Sequence, residues 1–172
     1  LMENIMNVTS FLRNKIIQNG GDPDRETLNV IRTVDGDNYL VDEDGDFWRM
    51  YIFIEDATCF DIVEKPEDFY NSALSFGNFQ KLLADYPAST LHETIPNFHN
   101  TVSRFEDFRK AVEEDTYKRA AGVQKEIRFV MDREPETHVI CDALAKHRIP
   151  LRVTHNDTKL NNIMIDNKTG KG

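Results

Sequence analysis

Leu151-Arg-Val-Thr-His-Asn-Asp-Thr-Lys-Leu-Asn-Asn-Ile-Met-Ile-Asp166 is the stretch on which the reading of this chain turns. Its apolar residues fall into two short runs, Leu151/Val153 and Ile163–Ile165, which predict a strand on either side of a polar turn. Into that turn are packed His155, Asp157, Lys159 and Asn162. The plain alternative is a polar hairpin whose Asn and Asp residues only shape the turn.

Working outward, the segment before the loop is helical in pattern. Pro135 sits where a first helical turn accepts proline, and Val139, Ile140, Leu144 and Ala145 follow at helical spacing. Phe105 to about Arg133 reads as another helix, interrupted near Ala120-Ala-Gly122, and Leu91–Arg104 reads as a loop. Lys65-Pro-Glu-Asp68 opens a helix with an aromatic stripe (Phe69, Phe76, Phe79), closed by Tyr86-Pro87. Upstream, three strand signals, Leu28–Thr33, Tyr39–Val41 and Phe47–Ile54, are separated by Gly-Asp turns and predict an antiparallel meander. Residues 1–17 form a first helix, stopped by Asn19-Gly-Gly-Asp-Pro23. With no cap before it, this helix makes the chain read as a piece of something longer.

Composition narrows the function classes. The chain has 172 residues, 40% of them hydrophobic, which supports one sizeable core. The net charge of −9 is localised, because Asp22–Asp61 holds twelve acids against three arginines. Nucleic-acid binding wants a basic stripe and is excluded on that ground. Asp42-Glu-Asp-Gly-Asp46 lacks the spacing of a calcium loop and reads as a turn around Gly45. Cys59 and Cys141 have no metal or redox spacing, and His138 and His147 have no spacing partner. No apolar run reaches membrane-spanning length and no signal pattern opens the sequence, so a cytoplasmic protein without membrane partners is expected.

The loop carries a resemblance. H-x-D-x-K-x-x-N, between two strands, resembles the catalytic loop of protein kinases and their relatives. His155-Asn-Asp-Thr-Lys-Leu-Asn-Asn162 is similar to the H-G-D-x-x-x-x-N loop of the aminoglycoside phosphotransferase and choline kinase superfamily, and its wording to the N-acetylhexosamine 1-kinase branch. Asn156 departs from the usual Gly, and Asn tolerates the positive φ such a turn needs. The stretches W-R-x-Y-x-F-I-E-D (Trp48–Asp56) and I-P-x-F-H-x-T (Ile95–Thr101) share the resemblance.

What the resemblance implies is a partial protein-kinase-like α+β fold: a meander, a mostly helical segment, then a catalytic-loop hairpin. Residues 1–56 would form a partial N-terminal lobe, and 57–172 the hinge with a partial helical C-terminal lobe. The activity implied is phosphoryl transfer from ATP to a sugar hydroxyl, in carbohydrate metabolism. Asp157 would orient and deprotonate that hydroxyl, Lys159 would offset phosphoryl charge, and Asn162 would ligate magnesium. Backbone groups of Glu55, Asp56 and Ala57 would bind adenine, and His99 and Asn97 the sugar. Other small alcohols, such as an aminoglycoside or choline, remain open as acceptors, as does a non-catalytic interaction module on the same scaffold. The phosphate-covering loop, the strand Lys and an acidic metal ligand after the loop have no match here; Asp166 falls at a turn. Apolar faces left bare by absent strands would invite self-association through sheet edges.

Overall fold

Helix α1 (Met2–Gln18) buries one stripe, Leu12 and Ile16 a turn apart, with Val8 and Phe11 beside them. This is the computed structural model's main packing contact, and the structure describes residues 1–63 and 65–172. The stripe meets Leu83 and Tyr86, flanked by Phe79 and Leu82, and Phe11 meets the Tyr86 ring edge-on at 5.2 Å. Burying each aliphatic side chain here stabilises the fold by about 1.5–3 kcal/mol. The helix stops where Gly20 takes a φ of +75°, which an L side chain resists. A single turn, α2 (Pro23–Glu26), follows, capped by the Asp22 carboxylate on Asp24 N–H.

Among the described residues the architecture is α+β, with about 48% helix and three antiparallel two-stranded sheets. The strands are β1 (Val30–Ile31), β2 (Leu40–Val41), β3 (Phe47–Trp48), β4 (Met50–Tyr51), β5 (Ala57–Thr58) and β6 (Ile165–Asp166). β1 pairs with β4 and β2 with β3, in registers Val30↔Tyr51 and Leu40↔Trp48. The expected three-stranded meander is therefore corrected. The Phe47–Ile54 run breaks at Arg49 and serves both earlier strands, while Arg32–Tyr39 forms an excursion closed by Thr33 N–H on Asp37 O. The turn around Gly45 is as expected: its φ is +85° and Asp42 N–H reaches Asp46 O.

The expected hairpin from Leu151 to Ile165 is also corrected. Leu151–Thr154 has no regular secondary structure and pairs with no strand among the described residues, and β6 pairs with β5, in register Ala57↔Asp166. Val153 packs against the α1 core instead, and that burial outweighs the local pairing its alternation implied. Between them lies one 3-10 turn, Leu160–Asn162.

Two compact units result. Leu1–His92 with Arg152–Gly172 forms the first, and Glu93–Leu151 the second. The first contains all the strands and α3 (Pro66–Leu82), whose first turn carries Pro66 and accepts Lys65 N–H on the Asp68 carboxylate. The second packs α4 (Thr101–Glu114) against α6 (Glu134–Ala145), with α5 (Gln124–Met131) between them in sequence. Two expectations shift here. Residues Thr101–Arg104 are helix, not loop, because Asn100 caps α4 by accepting from Ser103 N–H. The helix break comes at Asp115, in the left-handed region with φ 36°, its carboxylate binding Arg119 and Ala120 N–H.

Candidate functional site

The loop is held by its ends. On the near side Val153 enters the α1 core; on the far side Ile163 and Ile165 are buried while Met164 between them is not. That alternation fixes an extended backbone and leaves Thr154–Asn162 looped out between two anchors. Asn156 takes φ 65°, as expected for the residue in place of Gly, and its Oδ1 accepts from the Thr154 hydroxyl at 2.6 Å.

Three of the expected site residues are brought together. Asn162 Nδ2 donates to Asp157 Oδ2 at 2.6 Å and to Asp157 main-chain O at 2.8 Å. Lys159 Nζ stands 3.6 Å from the same carboxylate oxygen. Both donor hydrogens of the Asn162 amide are spent on Asp157, which leaves its Oδ1, a hard oxygen acceptor, outside that pair. His155 does not enter the cluster by charge. Its ring meets Phe76 and Phe79 of α3 edge-on at 5.1 and 5.8 Å, and its Nδ1 accepts Asp157 N–H at 3.3 Å. The histidine thus positions the carboxylate's backbone against the aromatic stripe. The aromatic stripe of α3 carries no sequence signal of this use of Phe76 and Phe79.

Glu55, Asp56 and Ala57 lie beside the far anchor, through β5. Glu55 O accepts from Arg25 Nη1 at 3.0 Å, and Asp56 O from Asn167 N–H at 2.9 Å. Each carbonyl keeps one further lone pair. Arg25 also binds Asp166 Oδ2 at 2.8 Å, so one guanidinium ties α2, the segment before β5, and β6. No sequence signal marked Arg25 for this. Asp61, likewise unmarked, accepts from Asn161 Nδ2 at 2.9 Å. Asp166 is a turn residue, as its place in the sequence implied. Its Oδ1 accepts from Thr169 N–H, the Thr169 hydroxyl and Lys168 N–H, which hold the carboxyl below the usual carboxylate range, with Arg25 assisting.

A cleft of about 1170 Å³ opens within the first unit. Its apolar wall comes from α1 and α3 (Val8, Leu12, Leu74, Phe79), and Ala57, His155, Asn162 and Asp166 line it too. Small-ligand sites occupy roughly 300–1,000 Å³, so space does not limit what enters. Among the described residues no group of three or more His, Cys, Asp or Glu is placed to hold a metal ion. One amide oxygen, Asn162 Oδ1, with the Asp157 carboxylate beside it, offers hard oxygens on one side of such an ion.

His99 and Asn97 belong to the second unit. Asn97 is a turn residue, φ 58°, whose N–H meets Glu93 Oε1 at 2.9 Å. His99 stacks edge-on upon Phe98 at 4.8 Å, in a shallow pocket of about 470 Å³ with Arg104, Phe105 and Phe108. No family model matches the chain.

Proposed function

We propose that this chain is the central portion of an ATP-dependent small-molecule kinase acting on a sugar hydroxyl, with the anomeric hydroxyl of an N-acetylhexosamine as first candidate. The observation that carries the reading is the clustering of Asp157, Lys159 and Asn162 on a loop anchored at both ends and bordering a cleft. A kinase-like two-lobed arrangement and a cytoplasmic location belong to the same reading.

In it, Asp157 accepts the proton of the acceptor hydroxyl, with Oδ1 free to do so while Oδ2 is held by Asn162. Lys159, on a flexible stem, swings from Asp157 toward the transferring group's negative charge. Magnesium, held by Asn162 Oδ1, would neutralise charge on the nucleotide phosphates. The backbone of Glu55–Ala57 faces adenine, and the cleft's α1 and α3 wall excludes water. The roles of His99 and Asn97 at the sugar rest on the resemblance of the I-P-x-F-H-x-T stretch.

The test is product formation by the longer parent protein with MgATP and N-acetylglucosamine or N-acetylgalactosamine, followed by phosphorus NMR of the sugar phosphate. A phosphate on carbon 1 supports the reading. Turnover of an aminoglycoside or choline alone moves the acceptor while keeping the chemistry. A parent that phosphorylates none of them leaves the non-catalytic interaction module, which the engagement of both Asp166 oxygens, Oδ1 by its own turn and Oδ2 by Arg25, favours.

A further inference from the structure

The hairpin between Asn29 and Glu55 is the least covered part of the molecule. β2 and β3 are exposed at every position, and successive side chains in a strand point to opposite faces, so both faces of this ladder are bare. Val34, Phe53, Phe47 and Met50 are 103%, 81%, 75% and 64% exposed. Each ladder here has two strands, so every strand in it keeps one unpaired edge. Two-stranded ladders with bare faces are marginal in water, and a third strand is what completes them.

Charge decides what that strand carries. From Arg32 to Asp56 the acids are Asp35, Asp37, Asp42, Glu43, Asp44, Asp46, Glu55 and Asp56, against Arg32 and Arg49 only. Both arginines are engaged inside the hairpin: Arg32 Nη1 donates to Gly36 O at 3.1 Å, and Arg49 lies over the Tyr51 ring at 5.8 Å. Asp42 is spent on its own turn and Asp56 faces Lys168 at 3.6 Å. Asp35, Asp37, Glu43, Asp44 and Asp46 show no cation partner among the described residues. A second copy of the chain would bring two such acidic rims together, which like charge opposes, and an anionic surface is opposed for the same reason.

We infer that this hairpin is a docking edge for an extended, basic segment of another protein, added as a further strand whose apolar residues extend the face formed by Val41 and Phe47 while its lysines or arginines meet the acidic turns. Main-chain hydrogen bonds supply the pairing, and charge supplies the choice of partner. The inference is argued from the hairpin's own faces and charges and uses none of the phosphotransfer residues.

The probe is a short synthetic peptide alternating valine with lysine, titrated into the full chain. Binding is read by the fluorescence of Trp48, the one tryptophan, and by amide shifts. Saturable binding is expected, with shifts confined to residues 28–56. Affinity should fall about tenfold or more from low salt to about 0.5 M, where the Debye length shrinks to a few Å. A valine–glutamate peptide should not bind. The same basic peptide N-methylated at alternate amides keeps its charge but cannot pair, and should lose about tenfold or more in affinity. The triple variant Asp37→Asn, Glu43→Gln, Asp46→Asn should bind several-fold more weakly with its circular dichroism unchanged. The inference is overturned by equal binding of the N-methylated peptide, by equal binding of the acidic peptide, by shifts centred elsewhere, by an unaffected triple variant, or by no saturable binding.

Discussion

Asp157 works through two different oxygens, and this asymmetry shapes what its replacement does. Oδ2 is occupied by Asn162 at 2.6 Å, so a carboxamide at position 157 keeps that side of the geometry and loses only proton acceptance. In the kinase proposed above, Asp157→Asn should lower turnover by roughly two or more orders of magnitude, the usual worth of a positioned general base. Its melting temperature should barely move. Steady-state kinetics check this, and near-normal turnover would remove Asp157 from the role. Asn162 is a harder case, because its amide holds the loop as well as offering an oxygen outward. Its bonds to Asp157 are exposed, and such bonds contribute about 0.5–1.5 kcal/mol each at most. Asn162→Ala should therefore cost little stability but raise the magnesium concentration needed for half-maximal activity several-fold. An unchanged magnesium titration would return Asn162 to turn-shaping alone.

At the scale of elements, the β2–β3 turn offers a measurement that needs no substrate. Asp42 receives Trp48 Nε1–H at 2.6 Å and the N–H groups of Asp44 and Asp46. These donors, the indole first, hold its carboxyl below the ordinary carboxylate range in the folded hairpin. Stability from this cap is therefore complete above the ordinary carboxylate pKa and is lost as pH falls through the lowered folded value. Trp48 fluorescence should change in that acid window, and in Asp42→Ala should already resemble the acid form at neutral pH. A pH-independent signal from the wild-type chain would show that the cap does not hold the hairpin in solution. This turn was legible from Asp42-Glu-Asp-Gly-Asp46, because a turn is specified by residues a few positions apart. So were α1 and α3, whose apolar period is local, and the Asp157/Lys159/Asn162 cluster, whose members share one loop. What was not legible depends on distant partners. Nothing near Ile165 announces Ala57 as its neighbour's partner, nothing near His155 announces Phe76, and Val153 alternates like a strand residue while serving the α1 core. Asn100 falls in a stretch whose sequence reads as loop, because its capping role shows only through Ser103 N–H.

For the whole molecule, catalysis needs more oxygen ligands than one amide supplies, since magnesium sheds water reluctantly. Asp166 is unavailable for this, its oxygens being taken by Thr169, Lys168 and Arg25. The purified 172-residue chain should therefore be catalytically silent and bind MgATP weakly or not at all, as read by calorimetric titration with a product assay on N-acetylglucosamine. Tight binding with turnover would mean that other residues supply the ligands. Its bare apolar side chains also favour self-association, while its charge of −9 opposes it. Sedimentation velocity should show monomer at low salt and growing dimer as salt screens the acids. A dimer that instead dissociates on adding salt would point to ion pairs as its cement.

The β5–β6 ladder has a consequence in time. Thr58 Oγ1 donates to Asn167 Oδ1 across 109 residues of chain, and the whole second unit lies in that interval. Loop closure over such a span costs entropy before any contact repays it, and contacts of high sequence separation slow folding. The Glu93–Leu151 helices close α4 on α6 over a much shorter span of chain and can form earlier. The loop bearing Asp157 gets its far anchor only when Ile163 and Ile165 arrive. On a ribosome, then, the candidate site is the last thing this stretch of chain assembles, and until then β5 and the α1 and α3 wall lack the segment that completes the cleft, open to whatever chaperone reaches them first.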